Sequence, residues 1–92
     1  MTLSISVTNS FKRDLKRVKA RRFDLTLLKT VVDLLVEGTP LPKKYRDHAL
    51  SNNWKGYREC HLAPDWLLVY RVSDEKLVLV LSRTGTHSDL DF

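Results

Sequence analysis

Three apolar runs follow one another near the end of the chain, joined by connections too short to cross a sheet. They are WKGYRECHL at 54–62, WLLVYRV at 66–72 and LVLVL at 77–81, separated only by APD and SDEK. A parallel return needs a dozen or more residues, so these three strands must lie antiparallel, side by side. A meander of this kind becomes stable once its apolar face is covered, and the first half of the chain supplies a cover. Phe11, Leu15 and Val18 recur at helical spacing. Leu25, Leu28, Val32 and Leu35 make a second stripe, widened by Leu27, Val31 and Leu34. Thr8, Asn9 and Ser10 are suited to cap the first helix and Asp24 the second, while Gly38 before Thr39-Pro40 is a stop. Residues 3–7 alternate as a short half-buried strand, and the irregular stretch 39–53 reads as a loop. The expected fold is therefore α+β, in the order β-α-α-β-β-β, with two helices packed on an antiparallel-rich four-stranded sheet. Ninety-two residues hold one core, so residues 1–92 are expected to form a single domain.

The charge is unevenly placed. Lys12, Arg13, Lys16, Arg17, Lys19, Arg21 and Arg22 crowd the first helix and its exit, offset there only by Asp14. Lys43, Lys44 and Arg46 surround Tyr45, and the net charge is +5. A solvated helix face would mix the signs, so the segment points to a polyanion or an acidic protein partner. No apolar run approaches the roughly 18 residues of a membrane span, and no basic stretch precedes an apolar one at the N-terminus. A lone Cys60 excludes an internal disulfide and fits a reducing cytoplasm. Cys60 and His61 are adjacent on a strand and point to opposite faces. With no Cys-x-x-Cys or His-x-x-x-His spacing and no phosphate-binding glycine loop, neither a metal nor a cofactor is expected.

The three histidines, His48, His61 and His87, all fall in the loop and strand ends of the second half, where side chains from different segments converge. The APD hairpin brings His61, Asp65 and Trp66 near one another. Strand parity sets Lys55, Tyr57, Glu59 and His61 on one face, away from the helices, against Trp54, Arg58, Cys60 and Leu62. Arg83 shares parity with the apolar Leu77, Leu79 and Leu81, so the last strand must end or bend before it; Gly85 assists. Cleaving RNA without a metal requires a base for the 2′-hydroxyl, an acid for the leaving 5′-oxygen and cations around the phosphorane. Histidine serves as either acid or base near neutral pH, and the planar fork of arginine suits the growing phosphorane charge.

The segments DHAL…WKGYR, HLAPDWLLVY and RTGTH resemble the YafQ branch of the RelE superfamily of bacterial type II toxins, over essentially the whole chain. The resemblance implies a ribosome-dependent messenger-RNA endonuclease that cleaves mRNA in the ribosomal A site. It implies in-line attack by the 2′-hydroxyl, without a metal, to leave a 2′,3′-cyclic phosphate. Position by position it makes His48, His61, Asp65, Arg83 and His87 the catalytic set, with His87 an acid or base and Arg83 the charge stabiliser. Trp66, Phe92, Lys55, Lys16 and Arg17 are the expected substrate-binding residues, Trp66 by packing the site and Phe92 by stacking. The implied partners are a cognate antitoxin, the 70S ribosome with its mRNA, and operator DNA bound by the toxin–antitoxin complex; the implied location is the cytoplasm. Two positions depart from the family. Glu59 stands where an aspartate is frequent, and Asp91 separates Leu90 from Phe92 by one extra residue. The alternatives are a non-enzymatic toxin of the same fold that inhibits a protein target such as DNA gyrase, which would have no need of the histidines with Arg83, and a simple RNA-binding module, which would favour exposed aromatics.

Overall fold

The computed structural model describes residues 2–90. Strand β1 (Ser4–Val7) leads into helices α1 (Asn9–Ala20) and α2 (Leu25–Val36), then a 3-10 turn (Lys43–Tyr45) and strand β2 (His48–Ala49). A second 3-10 turn (Asn52–Trp54) precedes β3 (Arg58–Ala63), β4 (Trp66–Ser73), β5 (Val78–Gly85) and a one-turn helix α3 (His87–Leu90). The helices form where the apolar periods lie, and their caps are those the sequence offered. Thr8 Oγ1 accepts from Phe11 N–H at 3.0 Å, and Asp24 accepts from Thr26 N–H at 3.0 Å.

The sheet runs β1-β5-β4-β3-β2, with β1 parallel to β5 and every other pair antiparallel. This corrects the four-stranded expectation: two residues of the irregular stretch, His48 and Ala49, pair with Glu59 and Arg58 as a fifth strand. A two-residue strand has no alternation to recognise. β3 starts four residues later than expected, because Trp54 ends a 3-10 turn that Lys55 caps, and Gly56 takes a φ of 94°. β5 instead runs four residues beyond Leu81, to Gly85. Leu77, with φ 54°, lies in the preceding turn.

One face of the sheet packs on the helices through Cys60, Leu62, Trp66, Leu68, Tyr70, Leu79 and Leu81, against Phe11, Val18, Leu28, Val31 and Leu35. The other carries a small cluster, Leu67, Val69 and Leu90, with Leu50, Trp54 and Tyr57 against it. Trp54 is thus on the face opposite Cys60, not beside it, since the turn at Gly56 breaks the parity assumed from residue 54 onward. Buried Cys60 has its thiol pushed up to about 12 by desolvation, as befits a core residue and not a reactive thiol.

Strand β1 covers β5 only as far as Leu81, the partner of Val7. Beyond that point Thr8 Oγ1 donates to Ser82 O at 2.8 Å while capping α1. One hydroxyl therefore joins strand edge and helix start. Thr8→Ala should lower the unfolding free energy by about 1–2 kcal/mol with little change in the denaturant slope, as urea titration followed by circular dichroism would measure.

Candidate active site

The open face of the sheet places the histidines through strand register. His48 pairs with Glu59, Glu59 with Val69 and Val69 with Arg83, giving one row across four strands. The next row is His61, Leu67 and Gly85. Paired residues of a sheet share a face, so His48, Glu59, His61 and Arg83 stand on the side away from the helices. The expected clash of Arg83 with the core is avoided by a bulge: Val69 pairs with Arg83 but Tyr70 with Leu81, so Ser82 is the extra residue. The bulge moves Arg83 out of the layer that Leu79 and Leu81 occupy.

His61 is central among the histidine rings. Its centroid is 6.4 Å from that of His48 and 5.8 Å from that of His87. Its Nδ1 is buried without a hydrogen-bond partner, and desolvation chiefly, then the neighbouring His87, lowers its pKa against the opposing pull of Glu59. A ring held neutral in this way has a lone pair available near neutral pH. It also borders a cleft of about 400 Å³ lined by Leu27, Tyr45, Arg46 and Pro64 among others.

His48 donates from Nδ1 to the Arg46 carbonyl at 2.8 Å and sets Nε2 3.4 Å from Glu59 Oε1. The segment that carries it is tied down next door. Asp47 accepts from Arg58 Nη2 at 2.9 Å and from the Tyr70 hydroxyl at 2.5 Å. Burial, with the Asp47 carboxylate, pushes the Tyr70 phenol up, so it stays a donor.

His87 opens α3. Its Nδ1 donates to Asp65 Oδ1 at 2.5 Å, and its backbone N–H donates to the same oxygen at 2.9 Å. These bonds, the backbone one first, hold the Asp65 carboxyl below its ordinary value. With Nδ1 committed to the carboxylate, Nε2 is the nitrogen left to exchange a proton. Two further contacts fix α3. Leu90 packs on Leu67 and Val69, and Asp89 makes a two-bond pair with Arg21, at 2.6 and 3.2 Å. Asp89 also accepts from Thr86 N–H while Thr86 Oγ1 accepts from Asp89 N–H, a reciprocal cap. Asp89 is thus turned to α1.

Arg83 donates from Nε and Nη2 to Asp14 at 2.6 and 3.2 Å, which raises its pKa. Asp14 is 2% exposed and also accepts Thr84 N–H at 3.1 Å. Of the expected substrate-binding residues, Lys16 and Lys55 are exposed. Arg17 is half-buried, 3.3 Å from Asp14 and 4.0 Å from Asp89. Trp66, also 2% exposed, donates to Thr84 Oγ1 at 2.8 Å and meets Phe23 edge-on. It packs behind the site and offers no face to a base. Phe92 lies outside the described residues. Sequence reasoning named Asp14 and Glu59 but placed neither in the site. Asp14 had a signal: it sits three residues after Phe11 and four before Val18, on the buried stripe of α1. Glu59 was placed on the His61 face by parity, but was given no role.

Two outcomes follow from this geometry. A Cβ on Gly85, whose φ is 155°, would lie 2.9 Å from Asp89 Cβ. Gly85→Ala should leave the sheet intact by circular dichroism yet lose amide protection across residues 86–90. Arg21 holds the Asp89 carboxyl at about 2, below its ordinary 3.8. The sign is that of a depressed acid: its stabilisation is whole above the unfolded value and is lost as pH falls through the folded one. Asp89→Asn should therefore flatten the acid limb of stability between about pH 4 and pH 2, measured by urea midpoints across that range.

The model of the family described as "Bacterial toxin of type II toxin-antitoxin system, YafQ" matches residues 3–91. The mRNA interferase toxin YafQ of Escherichia coli strain B / BL21-DE3 is 42% identical over 87 residues, 94% of this chain and 92% of that protein. The E. coli DinJ-YafQ complex contains a chain that superposes with a TM-score of 0.87 at 40% identity, covering 96% of this chain and 97% of that one. A metal-bound toxin from Helicobacter pylori superposes with a TM-score of 0.90 at 45% identity, covering 96% and 98% respectively. Among the described residues of the present chain no group of three or more His, Cys, Asp or Glu side chains is placed to hold a metal ion.

Proposed function

The chain belongs to the YafQ family of type II toxin–antitoxin toxins, and from that membership we propose that it is a ribosome-dependent endoribonuclease that cleaves mRNA in the ribosomal A site. The observation that carries the reading is the gathering of His48, His61, His87 and Arg83 on one sheet face, with His87 braced by Asp65. The substrate's own 2′-hydroxyl gives up its proton to a histidine and attacks phosphorus in line. The 5′-oxygen leaves with a proton from a second histidine, and a 2′,3′-cyclic phosphate remains. His87 Nε2 is one of the two proton carriers, with Asp65 fixing its tautomer. Arg83 stabilises the negative charge on the phosphorane. Both proton transfers belong to side chains in this scheme, so no step is given to a metal ion.

Lys12, Lys16, Lys19 and Arg22, which enter no ion pair among the described residues, make the basic surface that docks on ribosomal RNA. That association should weaken with salt. A cognate antitoxin neutralises the toxin in the cytoplasm, as the DinJ-YafQ pairing of the relative suggests, and their complex binds its own operator DNA. Primer extension on a transcript translated in a purified system checks the proposal. The wild-type chain should cut only when 70S ribosomes are present and leave cyclic-phosphate ends. His87→Ala should slow cleavage by about 10²–10⁴, with ribosome binding kept. Cleavage by His87→Ala at the wild-type rate would refute the assignment, and growth arrest with intact transcripts would favour a protein target.

A further inference from the structure

A carboxylate buried on the cationic helix has no part in the scheme above, yet it touches the residue that scheme depends on for charge. Asp14 meets Arg83 side-on, Oδ2 accepting from Nε at 2.6 Å and Oδ1 from Nη2 at 3.2 Å. A guanidinium gripped along that edge keeps both N–H groups of Nη1, and one of Nη2, directed away from the carboxylate. Asp14 is itself fixed. Its side chain is 3% exposed, Thr84 N–H donates to Oδ2 at 3.1 Å, and Arg17 Nη1 stands 3.3 Å from Oδ1. Shielded from water, such a pair is stiffer than a surface one. Arg83 itself is only partly covered, its side chain 25% exposed, so the far edge of its fork remains accessible.

We propose that Asp14 is a positioning residue for the cleavage reaction: it orients the Arg83 fork so that its outer N–H groups meet the phosphorane, and touches no substrate itself. The inference rests on the nuclease reading. Loss of a merely structural acid would lower stability whatever occupied position 83. A positioning acid acts through Arg83 and is silent without it.

The test is a double-mutant cycle in the ribosomal cleavage assay, with kcat and KM measured for wild type, Asp14→Asn, Arg83→Ala and the double variant. Asparagine can still accept Thr84 N–H through its amide oxygen but turns an NH2 toward Arg83. Asp14→Asn should lower kcat by about 10–100-fold and leave KM within about twofold, and should add nothing further in the Arg83→Ala background. Additive losses, or an unchanged kcat in Asp14→Asn, overturn the proposal. A wild-type chain that leaves the transcript whole overturns the nuclease reading itself, and this role with it; the two failures are therefore told apart. If Asp14→Asn proves unfolded by circular dichroism, the decision passes to Arg83→Ala with added guanidinium chloride. Saturable recovery by guanidinium alone supports a fork-shaped seat at Asp14. Recovery by ammonium chloride to the same extent, or no recovery, overturns it.

Discussion

The buried carboxylate of Asp14 is the interaction that lets the last strand extend past its neighbour. β1 stops pairing at Leu81, yet β5 continues to Gly85, and a strand edge with no cover leaves backbone donors unpaired. α1 fills that place. Thr8 takes the Ser82 carbonyl and Asp14 takes the Thr84 N–H. A carboxylate taken from water is costly unless its oxygens are bonded, and Asp14 has Arg83, Arg17 and the backbone around it. Such a cluster contributes modestly to stability compared with an apolar replacement, but losing one partner is expensive. Its effect is therefore better described as fixing register: it makes one seating of α1 on β5 far better than its neighbours.

That node also explains what the sequence disclosed and what it concealed. The β-α-α-β-β-β order was legible because it follows from local facts: the spacing of Leu25, Leu28, Val32 and Leu35, and connections as short as APD. β2 was not, since His48 and Ala49 become a strand only through pairing with Glu59 and Arg58. The bulge at Ser82 was hidden for the same reason, as register belongs to two strands and not to one. Parity placed Tyr57, Glu59 and His61 together correctly, and failed at Trp54, where Gly56 interrupts the strand. The site fared likewise. Its histidines and Asp65 were named by type and motif, whereas the anchoring parts played by Asp14 and Asp47 were not.

Those holding residues follow a common arrangement. Three of the groups assigned to chemistry have an anchored neighbour within two residues. Asp47, bound by Arg58 and Tyr70, precedes His48; Thr84, bonded to Trp66 and Asp14, follows Arg83; Asp89, bound by Arg21, comes two after His87. His61 is placed by its pairing with Leu67, and it is the ring with an unpaired buried nitrogen among the described residues. Side chains on short or terminal elements would otherwise wander by more than the sub-ångström tolerance that proton transfer demands. Buried Trp66 belongs to the same scheme: its indole N–H and its contact with Phe23 brace the end of β5 from below.

The basic helix consequently serves two separate ends. Arg17 and Arg21 face carboxylates of the fold, so they are largely neutralised by Asp14 and Asp89 and hold α3 and β5 in place. Lys12, Lys16 and Lys19 remain exposed and project charge into solvent. This division also settles where the Asp89 carboxylate points. Asp89 is paired with Arg21, and Asp65 is hydrogen-bonded by His87. The excess positive charge of the whole chain is then available to a polyanion, while the paired cations serve the geometry of the site.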